Sequence, residues 1–161
     1  MRFITVTRAI ALGAVVWGLS GIHPVAQDAD AVVGTWDLNV AKSKYSPGPA
    51  PKSETRTYVM AGQDIKASSK GVDGTGKPIA AEWTMNYDGK ERPQTGNPDA
   101  DSQSLKRVDA FTVAFTQKKG GKEVITGTRT ISKDGKVMTI TAKGTNAQGQ
   151  SINNVAVFEK R

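Results

Sequence analysis

From Ser53 to the end of the chain, turn-forming residues recur at an almost even spacing. They fall at Gly62, Asp73-Gly74, Asp88-Gly89, Asp109-Ala110, Gly120-Gly121, Asp134-Gly135 and Gly149, mostly 11 to 14 residues apart. The one longer gap holds its own turn, Thr95-Gly96-Asn97-Pro98. Asp-Gly and Gly-Gly tolerate positive φ and therefore suit tight hairpins. Between the turns lie segments rich in threonine, valine and aromatics that alternate with a period of two. Ile79, Ala81, Trp83, Met85 and Tyr87 share one face, and Phe111, Val113 and Phe115 repeat the pattern, as do Met138, Ile140 and Ala142. In the last segment Ile152, Ala156 and Phe158 share a face that Asn154 interrupts.

These signals predict strands near 33–41, 53–60, 64–70, 77–87, 90–94, 102–108, 111–118, 122–132, 137–145 and 151–159. No stretch has a 3.6-residue apolar period, so few or no helices are expected after the N-terminal leader. Successive hairpins make an antiparallel up-and-down meander. One this long hides its edges best by closing into an all-β barrel of about 8 to 10 strands, with a two-sheet sandwich as the competing architecture.

Met1 to Ala26 reads as a secretory signal: Arg2 and Arg8 precede an apolar run from Ala9 to Leu19. That run is shorter than the roughly 20 residues that span a bilayer, so no stable membrane insertion is expected after cleavage. The expectation is a signal peptide at 1–26, one domain at 27–161, and a periplasmic or extracellular location. Ala29-Asp30-Ala31 is a second candidate cleavage site.

The chain has no cysteine, and its only histidine, His23, lies in the expected leader. No disulfide, histidine-based triad, thiolate or histidine zinc site, or histidine-ligated haem is then expected in the mature chain. Without Arg2 and Arg8 the net charge falls from +7 to +5. Its lysines are scattered among turns rather than clustered with aromatics, which argues against nucleic acid as a partner. Gly71-Val72-Asp73-Gly74-Thr75-Gly76-Lys77 approaches a phosphate loop, but Pro78 stands where serine or threonine should follow. It is read as a hairpin turn. Asp99-Ala100-Asp101 lacks the remaining ligands of a calcium loop, so no metal is assigned.

Gly34-Thr35-Trp36-Asp37-Leu38 resembles the Gly-x-Trp signature that opens the calycins, the superfamily of lipocalins and intracellular fatty-acid-binding proteins. Lys133-Asp134-Gly135-Lys136, Met138-Thr139-Ile140-Thr141 and Phe158-Glu159-Lys160 are similar to the end of the fatty-acid-binding branch. Tyr87-Asp88-Gly89-Lys90, Thr95 to Asp101 and Gly144 to Gln150 resemble a group of uncharacterised secreted bacterial lipocalin-like proteins. The resemblance implies a calycin-like barrel with Trp36 at its closed end, covered by Lys160 or Arg161. Ala156 and Phe158 stand where the fatty-acid-binding branch carries its Arg-x-Tyr carboxylate clamp, and the proline-rich stretch Ala41 to Lys52 replaces the helical lid.

Arginine placement is the main functional clue. By parity Arg56 shares the face of Tyr58 and Met60, Arg107 that of Leu105, and Arg129 that of Ile125, Gly127 and Ile131. An arginine pointing into a barrel is costly unless it is paired or hydrated. One reading is a cavity in which Arg56, Arg107 and Arg129 hold an anionic group while Tyr58, Trp83, Tyr87 and Phe115 cover an apolar body. The other is that the arginines snorkel at the mouths, or pair with Glu54 and Asp109. The corresponding functions are a non-enzymatic, cofactor-free binding protein for a small amphipathic or anionic ligand, and a filled barrel meeting a protein partner at the 45–51 loop. An enzyme is disfavoured because nothing marks a general base or an activated nucleophile.

Overall fold

The structure, a computed structural model, describes residues 30–161. The expected signal peptide at 1–26 lies outside these residues. Ten antiparallel strands follow one another: β1 Gly34–Leu38, β2 Ser53–Ala61, β3 Asp64–Val72, β4 Pro78–Met85, β5 Arg92–Thr95, β6 Ser102–Arg107, β7 Thr112–Lys119, β8 Lys122–Ile131, β9 Val137–Thr145 and β10 Ser151–Lys160. Each pairs with the next, and β1 also pairs with β10 through Trp36↔Lys160 and Leu38↔Phe158, so the sheet closes into a barrel. The meander and its closure match the expected architecture, and the sandwich is excluded.

The turn chemistry explains the strand boundaries. Asp73 illustrates it: its Oδ1 accepts from the backbone N–H groups of Thr75 and Lys77, which folds the phosphate-loop-like stretch into the β3–β4 hairpin. Phe111 is an exception to the expected alternation. Asp109 Oδ1 accepts from the N–H groups of Phe111 and Thr112, so Phe111 belongs to the turn before β7 and is exposed.

β1 is short because a single 3-10 turn, Val40–Lys42, interrupts it. The chain then returns to β10 at the bridge Lys44↔Val155, and Ser46 bonds to Asn153 and Asn154. The start of the proline-rich stretch thus runs beside β10 and holds Tyr45 against the core, and Pro49 and Ala50 then pack on Gly74 in the β3–β4 turn. Among the described residues no helix is long and apolar enough to cross a membrane.

Inward side chains fill the end where β1 begins and β10 finishes. Val32, Trp36, Tyr58, Met85, Met138 and Phe158 are all fully or almost fully buried. Trp36 Nε1 donates to the Val32 carbonyl at 2.7 Å, which fixes the segment before β1 over this end. Gly34 has φ +131°, a conformation that disfavours side chains, and an added Cβ would stand 2.8 Å from Lys160 Cε. The glycine therefore lets Lys160 lie across Trp36, with Nζ 5.1 Å from the ring centroid. Arg161, the alternative cover, instead makes two hydrogen bonds to the Asp37 carboxylate.

Candidate ligand cavity

The other half of the barrel is hollow. A cavity of about 340 Å³ opens at the end where β2 begins and β8 starts. That is space for on the order of ten water molecules, within the range of small-molecule sites. Ile79, Trp83, Phe115, Ile125, Ile140 and Ile152 supply its apolar wall. Phe115 lies opposite Gly127 on β8, where an added Cβ would come within 2.6 Å of the Phe115 ring. The missing side chain lets the aromatic lie against the strand. Gly96 to Asp99, between β5 and β6, form part of the rim. Asp99 Oδ1 there accepts from Ala147 N–H and Asp101 Oδ2 from Gly120 N–H, so these acids tie the rim to neighbouring turns.

The two-residue period of β2 brings Glu54, Arg56 and Tyr58 to the cavity together. Arg56 Nε donates to Glu54 Oε1 at 2.7 Å, and Ser69 Oγ donates to the same oxygen at 2.7 Å. Burial works to raise the Glu54 pKa, but Arg56 and Ser69 hold it below its ordinary value. Burial likewise opposes the Arg56 charge, and Glu54 outweighs it to raise the arginine further. Arg56 keeps about a quarter of its side chain accessible, whereas Glu54 is buried. Its guanidinium stands 4.8 Å from the Phe158 ring centroid and 5.8 Å from that of Trp83. Tyr45 is close enough to feel both charges; burial, then Glu54, push its hydroxyl up to about 12.

Arg129 is the contrasting case. It is 5% exposed, lines the cavity, and makes no ion pair among the described residues. Nη2 donates to the Tyr87 hydroxyl at 2.7 Å and Nη1 to Met85 Sδ at 3.3 Å. No described residue accepts from Nε. Gln103 Nε2, also buried and on the cavity wall, has no acceptor among the described residues either.

Arg56, Tyr58, Trp83, Phe115 and Arg129 are thus placed around one cavity. Arg107 and Tyr87 are not. Arg107 is the last residue of β6, so it projects past the filled end, where it pairs with Asp30 and covers the Tyr87 ring at 4.1 Å. Asp109, its expected partner, serves the turn described above. Tyr87 lies just beyond β4 and supports Arg129 from below; burial pushes its hydroxyl up to about 12, with Arg129 opposing. Glu54 enters the site as a partner of Arg56, as one sequence reading expected. Gln103 was missed, although its position two residues before Leu105 signalled the inward face. Among the described residues no group of three or more acidic, histidine or cysteine side chains could hold a metal ion.

No protein-family model matches the chain, and no curated protein matches it. Solved structures do. Rv2717c from M. tuberculosis superposes with a TM-score of 0.53 at 12% identity, over 86% of this chain and 98% of that one. Zebrafish ileal bile acid-binding protein complexed with cholic acid gives 0.48 at 14% identity, over 81% and 99%. A protein titled EF1p2_mFAP2b, bound to DFHBI, gives 0.45 at 9% identity, over 81% and 94%. The fold is calycin-like. At such identities the likeness concerns the fold alone.

Proposed function

We propose that this barrel is a non-enzymatic binding protein that holds a small amphipathic anion in its open half, with Arg129 as the counter-charge. The observation that carries this reading is the environment of Arg129. A buried guanidinium with no carboxylate beside it lowers stability, because desolvation is not repaid by an ion pair. Arg129 lines the cavity with no described acceptor for its buried Nε, and Gln103, whose buried Nε2 also lacks a described acceptor, lies on the same wall. Trp83 and Phe115 would cover the apolar body. The leader-like sequence, with Arg2, Arg8 and the run Ala9 to Leu19, supports export of the domain to the periplasm or the exterior.

Native mass spectrometry of the purified protein and of Arg129→Leu tests the reading, with 8-anilinonaphthalene-1-sulfonate added as a probe anion. The parent is expected to retain the probe, and the variant to lose at least 90% of the bound form while melting no lower. A variant that binds as the parent does, or that melts several degrees lower without losing the probe, would make Arg129 a structural residue.

A further inference from the structure

The charges around the cavity are unequal in a way that restricts its ligand. This step rests on the binding function proposed above. Two guanidiniums face the interior, and one of them is already neutralised: Arg56 is held by Glu54 at 2.7 Å, with Ser69 on the same carboxylate oxygen. Among the described residues Arg129 has no carboxylate partner, so the buried wall they form carries a single uncompensated positive charge. Asp99 adds a carboxylate at the rim, where it is partly exposed and screened by solvent. A ligand with one negative charge balances Arg129. A second negative charge would sit in a low-dielectric interior beside Glu54, with Arg56 already engaged, and would be repelled rather than paired. Gln103 supplies a neutral donor where a second cation would be needed to welcome a dianion.

We infer that the cavity selects monoanions over dianions of the same shape, and that Glu54 sets this selectivity by neutralising Arg56. The ligand class is a compact apolar skeleton bearing one carboxylate, sulfate or sulfonate group, with a further oxygen acceptor within reach of Gln103. Phosphate monoesters and dicarboxylates are disfavoured at neutral pH. Glu54 has a second effect as the residue that keeps Arg56 in place, so its role is tested without removing it as well as by substitution.

Isothermal titration with 1-naphthyl sulfate and 1-naphthyl phosphate compares one skeleton in two charge states. At pH 8 the phosphate ester is a dianion, because its second pKa lies near about 6, and at pH 5 it is mostly a monoanion. The parent is expected to bind the sulfate at least tenfold more tightly at pH 8, and the two ligands within about threefold of each other at pH 5. Glu54→Gln is expected to narrow the pH 8 ratio below about threefold. Equal or tighter binding of the phosphate by the parent at pH 8, lost in Arg129→Leu, would overturn the selectivity and leave the binding function standing. Binding of neither ester, or binding unaffected by Arg129→Leu, would overturn both.

Discussion

The two halves of the barrel share ten strands and one alternation rule, yet they use their inward positions differently. In the filled half, Trp36, Met85, Met138 and Phe158 interlock and are fully buried. In the open half, Trp83, Phe115 and Ile140 line a space of about 340 Å³ and stay partly accessible. The charged groups divide the same way. Lys160 and Arg107 cap the filled half from outside, whereas Glu54, Arg56 and Arg129 stand within the barrel wall. The filled half therefore supplies stability, and it allows the other half to keep a cavity and a buried arginine with no ion pair among the described residues.

The contrast is broken most directly with tryptophan. Trp36→Ala removes a fully buried ring and leaves the Val32 carbonyl without its donor, so a loss of about 3–5 kcal/mol is expected. Trp83→Ala removes a ring that already faces open space, and roughly half that loss is expected. Urea unfolding of the two variants against the parent measures the difference. Equal losses would mean that the open half is packed as tightly as the other, and the division would fail.

Glu54→Gln probes the open half next. Breaking a buried pair leaves Arg56 unpaired, and a loss of about 3 kcal/mol is expected at pH 7. The folded carboxyl titrates below its ordinary 4.5, so the pair stabilises the protein above that pH. The contribution is lost as pH falls through the lowered folded value, where the parent also becomes neutral at this position. Thermal melts should therefore show a gap between parent and variant that narrows from pH 7 to pH 3. A gap of constant size would mean that the packing of Glu54 matters and its charge does not.

Much of this architecture is local in origin and was legible for that reason. Asp73, Asp109 and Asp134 fold their turns with their own carboxylates, so strand ends follow from neighbouring residues. The inward set Ile79, Ala81, Trp83 and Met85 follows from strict alternation on β4. Hollowness was not legible, since the same alternation serves a packed interior and a lined one. Nor was the direction of Arg107, because parity places it inward while the end of β6 lets it leave the barrel for Asp30, a partner 77 residues earlier. Gln103 shows a different limit. A polar residue on a strand reads as surface unless its apolar neighbour two residues on is given equal weight. Parity also slips at Gln117/Lys118, where the β7–β8 register shifts.

The smallest expected effect concerns the cap of the filled half. Lys160 covers Trp36 with both its stem and its charge, and its Nζ also reaches the Ala31 carbonyl at 3.4 Å. Lys160→Met keeps most of the stem and removes the charge, so the loss should be that of the cation over the ring, about 0.5–1 kcal/mol. Lys160→Ala removes the stem as well and should cost more, since water then reaches the ring edge. Urea unfolding of variants made in a Trp83→Phe background without the expected leader, so that emission reports Trp36, separates the two contributions: a red shift is expected for the alanine variant and little change for methionine. If methionine and alanine lose the same amount and shift emission equally, the charge holds the cap. If methionine loses nothing, the cap is a hydrophobic cover, and Gly34 matters because it makes room for a stem rather than because it aims a cation.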